Sequence, residues 1–426
     1  MGRACHAIQM RAAVLSTFFC ICLISDMVAQ KTLSVGEDQP YKSLKDAIND
    51  ADPGDSILLK SGHYKEKNIF LNKPLTITGE DYPVLDGENK YEILTILSDS
   101  VTISGLKFIN TGRSGMEDFA AVKVKAGKRI KISGNKFENS FFGIHFSNAS
   151  QSVIEDNELV ASATGEHEIG NGIHLWKCTH ITIDNNTIKG HRDGIYFEFV
   201  TRSLITNNLS EANIRYGLHF MFSHDDEYRN NMFVNNGAGV SVMYTKGVKM
   251  INNTFLKNWG ASSYGLLLKD IRDSHVEGNH FIENSTGIYM EGSSRIKFLE
   301  NRFNANGYAI KLQASCDDNN FSKNNFTSNT FDIATNGKLV LNTIDGNYWD
   351  RYEGYDLNKD NVGDIPFHPV SMYSMIVEQI PTTVLLWRSF LVMLMDKAEK
   401  AIPVLTPENL KDNFPSMRPY DLDKKG

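Results

Sequence analysis

An asparagine recurs behind a short alternating apolar strand along most of the chain, at Asn135, Asn157, Asn186, Asn208, Asn231, Asn253, Asn279, Asn301 and Asn324. Most neighbours in this series stand 22 or 23 residues apart, and the steps from 157 to 186 and from 253 to 279 carry extra residues. A second landmark keeps step with it. Gly143-Ile144, Gly172-Ile173, Gly194-Ile195, Gly217-Leu218, Gly239-Val240, Gly265-Leu266 and Gly287-Ile288 each open a further strand. Both strands alternate, as in Ile181-Thr182-Ile183 and Ile288-Tyr289-Met290, so every second side chain faces inward.

A repeat this short buries no core alone and must stack on its neighbours. Strand, turn, strand, turn within about 22 residues is one coil of a parallel β-helix. Asparagine suits the turns because it tolerates left-handed backbone and bonds neighbouring backbone groups; stacked in register, the asparagines form a ladder. Helical solenoids and α/β barrels need amphipathic helical periods, which the middle of the chain lacks. The fold expected is therefore an all-β, right-handed parallel β-helix over residues 30–341. Leu44, Ala47, Ile48 and Ala51 make one apolar helical face, stopped by Asp52-Pro53-Gly54-Asp55, and such a helix plugs the open N-terminal end of the stack.

The first 29 residues read as a secretory signal peptide. Arg3, His6 and Arg11 precede the apolar run Ala12 to Ile24, and Met27-Val28-Ala29 offers a small residue at the cut. The run is too short for a comfortable membrane span. Only Cys178 and Cys316 remain after cleavage, which is no disulfide framework, so stability must come from the core. Hydrophobic content of 41% and charge of 22% suit a folded soluble protein, and a net charge of −7 argues against general nucleic-acid binding.

Beyond Leu341 the repeat breaks, and residues 342–380 are expected to form a C-terminal cap, with 381–426 an apolar helix and tail. Asp356, Asn358, Asp360 and Asp364 place oxygens at alternate positions of a tight loop, a partial match to the start of a calcium loop. An Asx-rich turn without metal is the plainer alternative. Thr382 to Met395 includes Leu386, Trp387, Phe390 and Leu391 and is interrupted by Arg388. It is too short to cross a bilayer and too apolar to stand free, so it packs on the end of the β-helix or docks on a membrane-embedded partner.

The repeat predicts which side chains form columns. Residues two after each strand-opening glycine read His145, His174, Tyr196, His219, Ser241, Leu267 and Tyr289; residues four after read Ser147, Trp176, Glu198, Met221, Met243, Lys269 and Glu291. Both columns are expected to face outward. One outer patch would then hold His174, Glu198, His219, Met221 and Met243, with His224 a few residues on. Thioethers beside imidazoles form a ligand set that suits copper, Cu(I) above all. His174 and His219 lie two coils apart, about 10 Å, so one ion does not meet both without movement. The alternative is a methionine and aromatic patch for a protein partner.

Many proteins of this shape cleave sugars, so a secreted polysaccharide lyase or glycoside hydrolase is the competing function. It needs paired carboxylates. Glu198 has Trp176 and Met221 as its column neighbours, and Asp225, Asp226 and Glu227 fall in a predicted turn. An adhesin-like array is a third reading. Cys178 reads as a buried, inert thiol rather than a reactive one.

The segments Gly170-Asn171-Gly172-Ile173-His174-Leu175-Trp176, Arg192-Asp193-Gly194-Ile195-Tyr196-Phe197-Glu198-Phe199 and Arg215-Tyr216-Gly217-Leu218-His219-Phe220-Met221-Phe222-Ser223-His224-Asp225 resemble the nitrous oxide reductase maturation family NosD. So do Val242-Met243-Tyr244 and Asn347-Tyr348-Trp349-Asp350. The resemblance implies a non-catalytic periplasmic accessory protein, working with the permease and ATPase of an ABC transporter, a copper chaperone and nitrous oxide reductase. It implies that His174, Glu198, His219, Met221, His224 and Met243, with Trp176 beside them, form a patch presented to the chaperone or the reductase, and that the C-terminal apolar segment docks on the permease, so that membrane association runs through a partner; transient copper on the patch is an expectation of its residue types. No phosphate-binding loop occurs in the chain, so ATP hydrolysis falls to the partner.

Overall fold

The computed structural model describes residues 30–113, 117–162, 165–337, 341–401 and 410–422. The export segment expected over residues 1–29 lies outside them. The strands form three parallel sheets, here sheet I with 14 strands, sheet II with 12 and sheet III with 13. One coil runs Asp193–Glu198 in sheet II, Leu204–Thr206 in sheet I and Leu209–Glu211 in sheet III, and the next coil repeats the order at Tyr216–Met221. Every strand pairs in parallel with the equivalent strand of the coils above and below, as Ile195 does with Leu218 and Ile183 with Ile205. The expected β-helix is the fold.

Side chains facing inward stack by type. In sheet III the rings of Phe233, Phe255, Phe281, Phe303, Phe326 and Trp349 follow one another at centroid distances of 5.5, 4.6, 4.9, 4.7 and 4.1 Å. Such a column buries large apolar area with offset ring contacts, which is how a chain of short strands gains a core.

The asparagine ladder lies at the turn from sheet I to sheet III and runs from Asn135 to Asn347. The backbone N–H of Asn208 donates to Asn231 Oδ1 at 2.9 Å, and its side-chain amide donates to Ile183 O, Thr206 O and Asn231 Oδ1 at 3.0, 2.8 and 2.9 Å. The ladder residues are buried and are not themselves left-handed. The left-handed position is the residue before each rung: Gly134, Asp156, Asn185, Asn207, Asn230, Asn252, Gly278, Glu300, Lys323 and Gly346. Asparagine suits the rung because its short side-chain amide both accepts and donates along the stack. A second ladder, absent from the sequence reading, occupies the turn from sheet III to sheet II at Asn213, Asn236, Asn258, Asn284, Asn306 and Asn329.

At the N-terminal end, helix α1 (Leu44–Asp50) buries Leu44, Ala47 and Ile48 against the first coils. Ser43 caps it through Asp46 N, and the Glu66 carboxylate accepts the free N–H groups of Leu44 and Lys45 at 2.6 and 3.0 Å.

The C-terminal end departs from the expected boundaries. Strands Leu341–Ile344 and Tyr348–Trp349 still belong to sheets I and III, so the stack runs past residue 341. Residues 410–422 are part of the cap rather than a tail. Asp412 ends the ladder, accepting from Gly346 N, Asn347 N and Trp349 Nε1 at 2.9, 2.8 and 2.9 Å. Helix α2 (Met372–Gln379) precedes the apolar segment, which is not one helix but a 3₁₀ turn over Pro381–Leu386 and α3 (Phe390–Ala401). Pro381 and the left-handed Arg388 break it. Tyr373, Val377 and Val392 pack with Phe331 and Trp387 on the end of the stack. Leu385 and Phe390, 86% and 80% exposed, face away from it with Leu386 and Leu391. No helix among the described residues is long and apolar enough to cross a membrane.

Candidate functional site

The two predicted columns run up sheet II in the expected register. His145 pairs with His174, His174 with Tyr196, Tyr196 with His219, and His219 with Ser241. Beside them Trp176 pairs with Glu198, Glu198 with Met221, and Met221 with Met243. Register alone brings Met221 and Met243 to adjacent coils, about 4.8 Å apart along the stack.

Exposure differs between the columns. The histidine column is covered: His219 is 7% exposed, and His145, Ser241 and Leu267 are buried as well. Its rings form a file, with His145, His174, Tyr196 and His219 at successive centroid distances of 4.7, 4.8 and 5.0 Å. Phe142 lies against His145 and His174, and Tyr216 against His219 at 4.7 Å. Tyr264, from the coil between Asn253 and Asn279, lies against Tyr216 and Ser241, and Glu166, from the coil between Asn157 and Asn186, lies near Arg215. His219 was expected on an outer patch and is covered instead, between the rings of Tyr196 and Tyr216, the latter backed by Tyr264. Its neighbour across the coil is Asp193, 3.8 Å from Nδ1, and neither ring nitrogen of His219 has a hydrogen-bond partner among the described residues.

The electrostatics follow from that cover. Burial pushes His174 down to about 3, with the charges of His145 and Arg192 adding to it, and pushes His145 down to about 4. Both are neutral imidazoles at neutral pH. Burial alone pushes the Asp193 carboxyl up, but the two hydrogen bonds and charge of Arg215, with His219 beside it, offset this and hold it below its ordinary value. Asp193 is thus a buried counter-ion of Arg215.

The methionine column is half-buried and open. Its two ends are occupied: Lys177 lies over the Trp176 ring at 4.2 Å, and Lys269 pairs with Glu291 at 3.4 Å. Between them stand Glu198, Met221 and Met243. Glu198 makes no ion pair among the described residues. Two thioethers with one carboxylate at the edge form a soft, shallow donor set.

His224 is not part of this set. It lies past the turn from sheet II to sheet I, bridged to Thr201, with its Nδ1 3.2 Å from Thr245 Oγ1. The structure also brings together residues that the sequence reading passed over. Phe199, Phe222 and Tyr244, each one position after the column, stack on one another in the open. Reading one residue further along each repeat reveals them.

The loop at Asp356 satisfies itself. Asp356 accepts from the N–H groups of Lys359, Asp360 and Asn361, Asp360 from Val362, and Asp364 from Leu357. These are Asx turns, the plainer of the two readings, and calcium at Asp356, Asn358, Asp360 and Asp364 is not carried forward. Among the described residues no group of three or more histidine, cysteine, aspartate or glutamate side chains is placed to hold a metal. Cys178 is buried and its thiol is pushed up to about 11 by that burial, as the inert reading expects.

Fold and face together define a parallel β-helical protein with a soft-donor column on one sheet. The solved structure of a double mutant of the periplasmic alginate epimerase AlgG aligns with a TM-score of 0.55 at 16% identity, over 75% of this chain and 84% of that one, which shows the shared fold alone. A family model described as "Periplasmic copper-binding protein (NosD)" matches residues 159–354, a span that contains both columns from His174 and Trp176 onward. A protein of Pseudomonas aeruginosa called "Probable ABC transporter binding protein NosD" is 28% identical over 377 residues, covering 84% of this chain and 87% of that relative. A protein of Stutzerimonas stutzeri with the same name is 24% identical over 409 residues, covering 84% and 86%. The chain is similar to the NosD proteins over most of its length.

Proposed function

We propose that this chain is a non-catalytic periplasmic accessory protein that helps assemble the copper–sulfur centre of nitrous oxide reductase. Its partners in this reading are an ABC transporter permease with its ATPase, a copper chaperone and the reductase. The observation that carries the reading is the register pairing of Met221 with Met243 on an open face beside Glu198. Thioethers bind Cu(I) and bind hard cations poorly; two of them at a shallow, half-buried site hold an ion loosely enough to pass it on. His174 and His219, in the neighbouring column of the same sheet, form the polar wall of the site. Copper is cargo here, and the chain's part is to present it.

The family's description as periplasmic and copper-binding and the relatives' name as ABC transporter binding proteins support this reading. The C-terminal segment supports it independently. Trp387 anchors it on the stack while Leu385, Leu386, Phe390 and Leu391 remain exposed, an arrangement suited to a membrane-embedded partner. Against the sugar-cleaving alternative, Glu198 has no second carboxylate among its column neighbours and Asp193 is held by Arg215.

The test is a cell lacking the native protein, complemented with the wild-type chain or with Met221→Leu plus Met243→Leu. The double variant is expected to yield reductase without the charge-transfer absorption of its copper–sulfur centre. A normal centre would remove the methionine pair from the function. Turnover of alginate or polygalacturonate by the purified chain, lost in Glu198→Ala, would replace the reading by the enzymatic one.

A further inference from the structure

Two histidines of the covered file are each faced at Nδ1 by a buried polar residue that an arginine holds, and the two polar residues differ. Arg192 donates through Nε and Nη2 to Asn171 Oδ1, both at 3.2 Å, and Asn171 Nδ2 stands 3.1 Å from His174 Nδ1. Arg215 donates through Nε to Asp193 Oδ1 at 2.9 Å and through Nη2 to Oδ2, and Asp193 Oδ2 stands 3.8 Å from His219 Nδ1. Asn171 and Asp193 are fully buried, so neither exchanges these partners for water.

The donors and acceptors around each ring decide where its proton sits. An arginine only donates, so the Asn171 atom it meets is the oxygen, and the amide NH₂ is left for the ring. His174 Nδ1 is therefore an acceptor, and the one proton of this neutral imidazole lies on Nε2. Asp193, gripped by Arg215, is a carboxylate and offers His219 only lone pairs. At 3.8 Å the contact is longer than a hydrogen bond, and a small rotation of the ring closes it. The proton of His219 is then drawn to Nδ1, which leaves the lone pair on Nε2, a buried atom with no partner among the described residues. Position separates the two rings further. His219 stands two residues before Met221 on one strand, so both side chains leave the same face, and Met221 pairs with Met243 on the next coil. In the place of Met221, His174 has Trp176, whose ring is covered by Lys177.

We propose that His219 Nε2 is the imidazole donor to Cu(I) beside Met221 and Met243, that Asp193 and Arg215 are positioning residues that fix its tautomer, and that Asn171 and Arg192 lock His174 as a non-ligand. Two thioethers and one neutral imidazole suit Cu(I). A carboxylate behind a metal-binding imidazole orients the ring and raises its basicity. The ion enters from the methionine side, because Met221 and Met243 are half-buried while Tyr196 and Tyr216 flank the ring of His219. The proposal rests on the copper reading of the methionine column and names the histidine that the column uses.

Proton–nitrogen correlation spectra of the mature chain, labelled at histidine and free of copper in mildly alkaline buffer, read the tautomers directly. His174 is expected as the Nε2–H form and His219 as the Nδ1–H form. Added Cu(I) should move the Nε2 resonance of His219 and leave that of His174 in place. In Asp193→Asn the new amide should turn its oxygen to Arg215 and its NH₂ to His219, giving His219 the tautomer that Asn171 gives His174. Cu(I) affinity, measured anaerobically against a chelator, should then fall about 10- to 100-fold. His219→Gln is the second variant, with a loss at least as large, and the wild-type spectra need no variant to fold. His219 as the Nε2–H form, His174 as the Nδ1–H form, or a His219 ring indifferent to Cu(I) would each overturn the proposal. If Met221→Leu with Met243→Leu still abolishes binding in that case, the copper reading stands without it. No Cu(I) binding by the wild type overturns both together.

Discussion

Two of the three turns of this β-helix make opposite use of the same backbone demand. The turn from sheet I to sheet III places one residue per coil in left-handed conformation, and the turn from sheet II to sheet I places two. In the first, the next residue is asparagine from Asn135 to Asn347, turned inward and bonded to its copies above and below. In the second, the first of the two left-handed residues faces outward and changes from coil to coil, from lysine to phenylalanine to tyrosine to aspartate. Where every coil needs the same hydrogen bonds, the sequence is uniform and the structure is rigid. Where it stops repeating, beside Met221 and Met243, side chains have been released from the fold for another purpose.

The largest effect that would break this comparison is at the ladder. Asn231→Leu removes the acceptor for Asn208 and the donors to Ile205 O, Arg229 O and Asn253 Oδ1. At about 1–3 kcal/mol for each buried group left unsatisfied, the loss should be about 3 kcal/mol or more, read as a fall in urea midpoint. A smaller loss is expected from Asp412→Ala, which uncaps the ladder at Asn347 and Trp349. Its cost should be about 2 kcal/mol, with faster amide exchange over residues 341–349 than in the central coils.

Acid should act next. His145, His174 and His191 are pushed down by burial to about 4, 3 and 4, so the unfolded chain binds protons there that the folded chain refuses. Stability from these three is complete above about pH 6.5 and is lost as pH falls towards 4. Asp332, pushed up to about 6 by burial, acts in the opposite direction and offsets part of it. Thermal melts at pH 7 and pH 4.5 should show a clear fall at the lower pH, and a flat profile would mean that these rings are not held neutral.

The smallest effect is expected at the outward turn. Phe222→Asn loses two exposed ring contacts but relieves an aromatic residue in a left-handed position. The two changes oppose each other, and stability should move by less than about 1 kcal/mol. A large loss would make the aromatic stack a structural device like the ladder and erase the distinction between the two turns.

The β-helix was legible because its signal is repeated: the asparagine and glycine landmarks fix coil length, and alternation fixes which side chains face in. Column register at His174, His219, Met221 and Met243 followed from the same arithmetic. Exposure did not. Whether His219 meets solvent depends on how the extra residues of two long coils fold, and nothing in their composition says that Tyr264 turns back onto Tyr216 and Ser241. The second ladder was missed because Asn213, Asn236 and Asn258 stand only five residues after the rungs of the first and pass for ordinary turn residues. At the C-terminus, the apolar run from Thr382 to Met395 gave the exposed surface but not the break at Arg388, since tertiary contacts of Trp387 and Val392 decide where the chain bends.

The central claim, that the methionine column handles copper, is tested most directly by anaerobic Cu(I) titration of the mature chain against a competing chelator. The wild type is expected to bind one ion, and Met221→Leu with Met243→Leu, which conserves volume and should cost less than about 1.5 kcal/mol of stability, is expected to lose it. Equal binding by the two proteins, or none by either at neutral pH, would contradict the account.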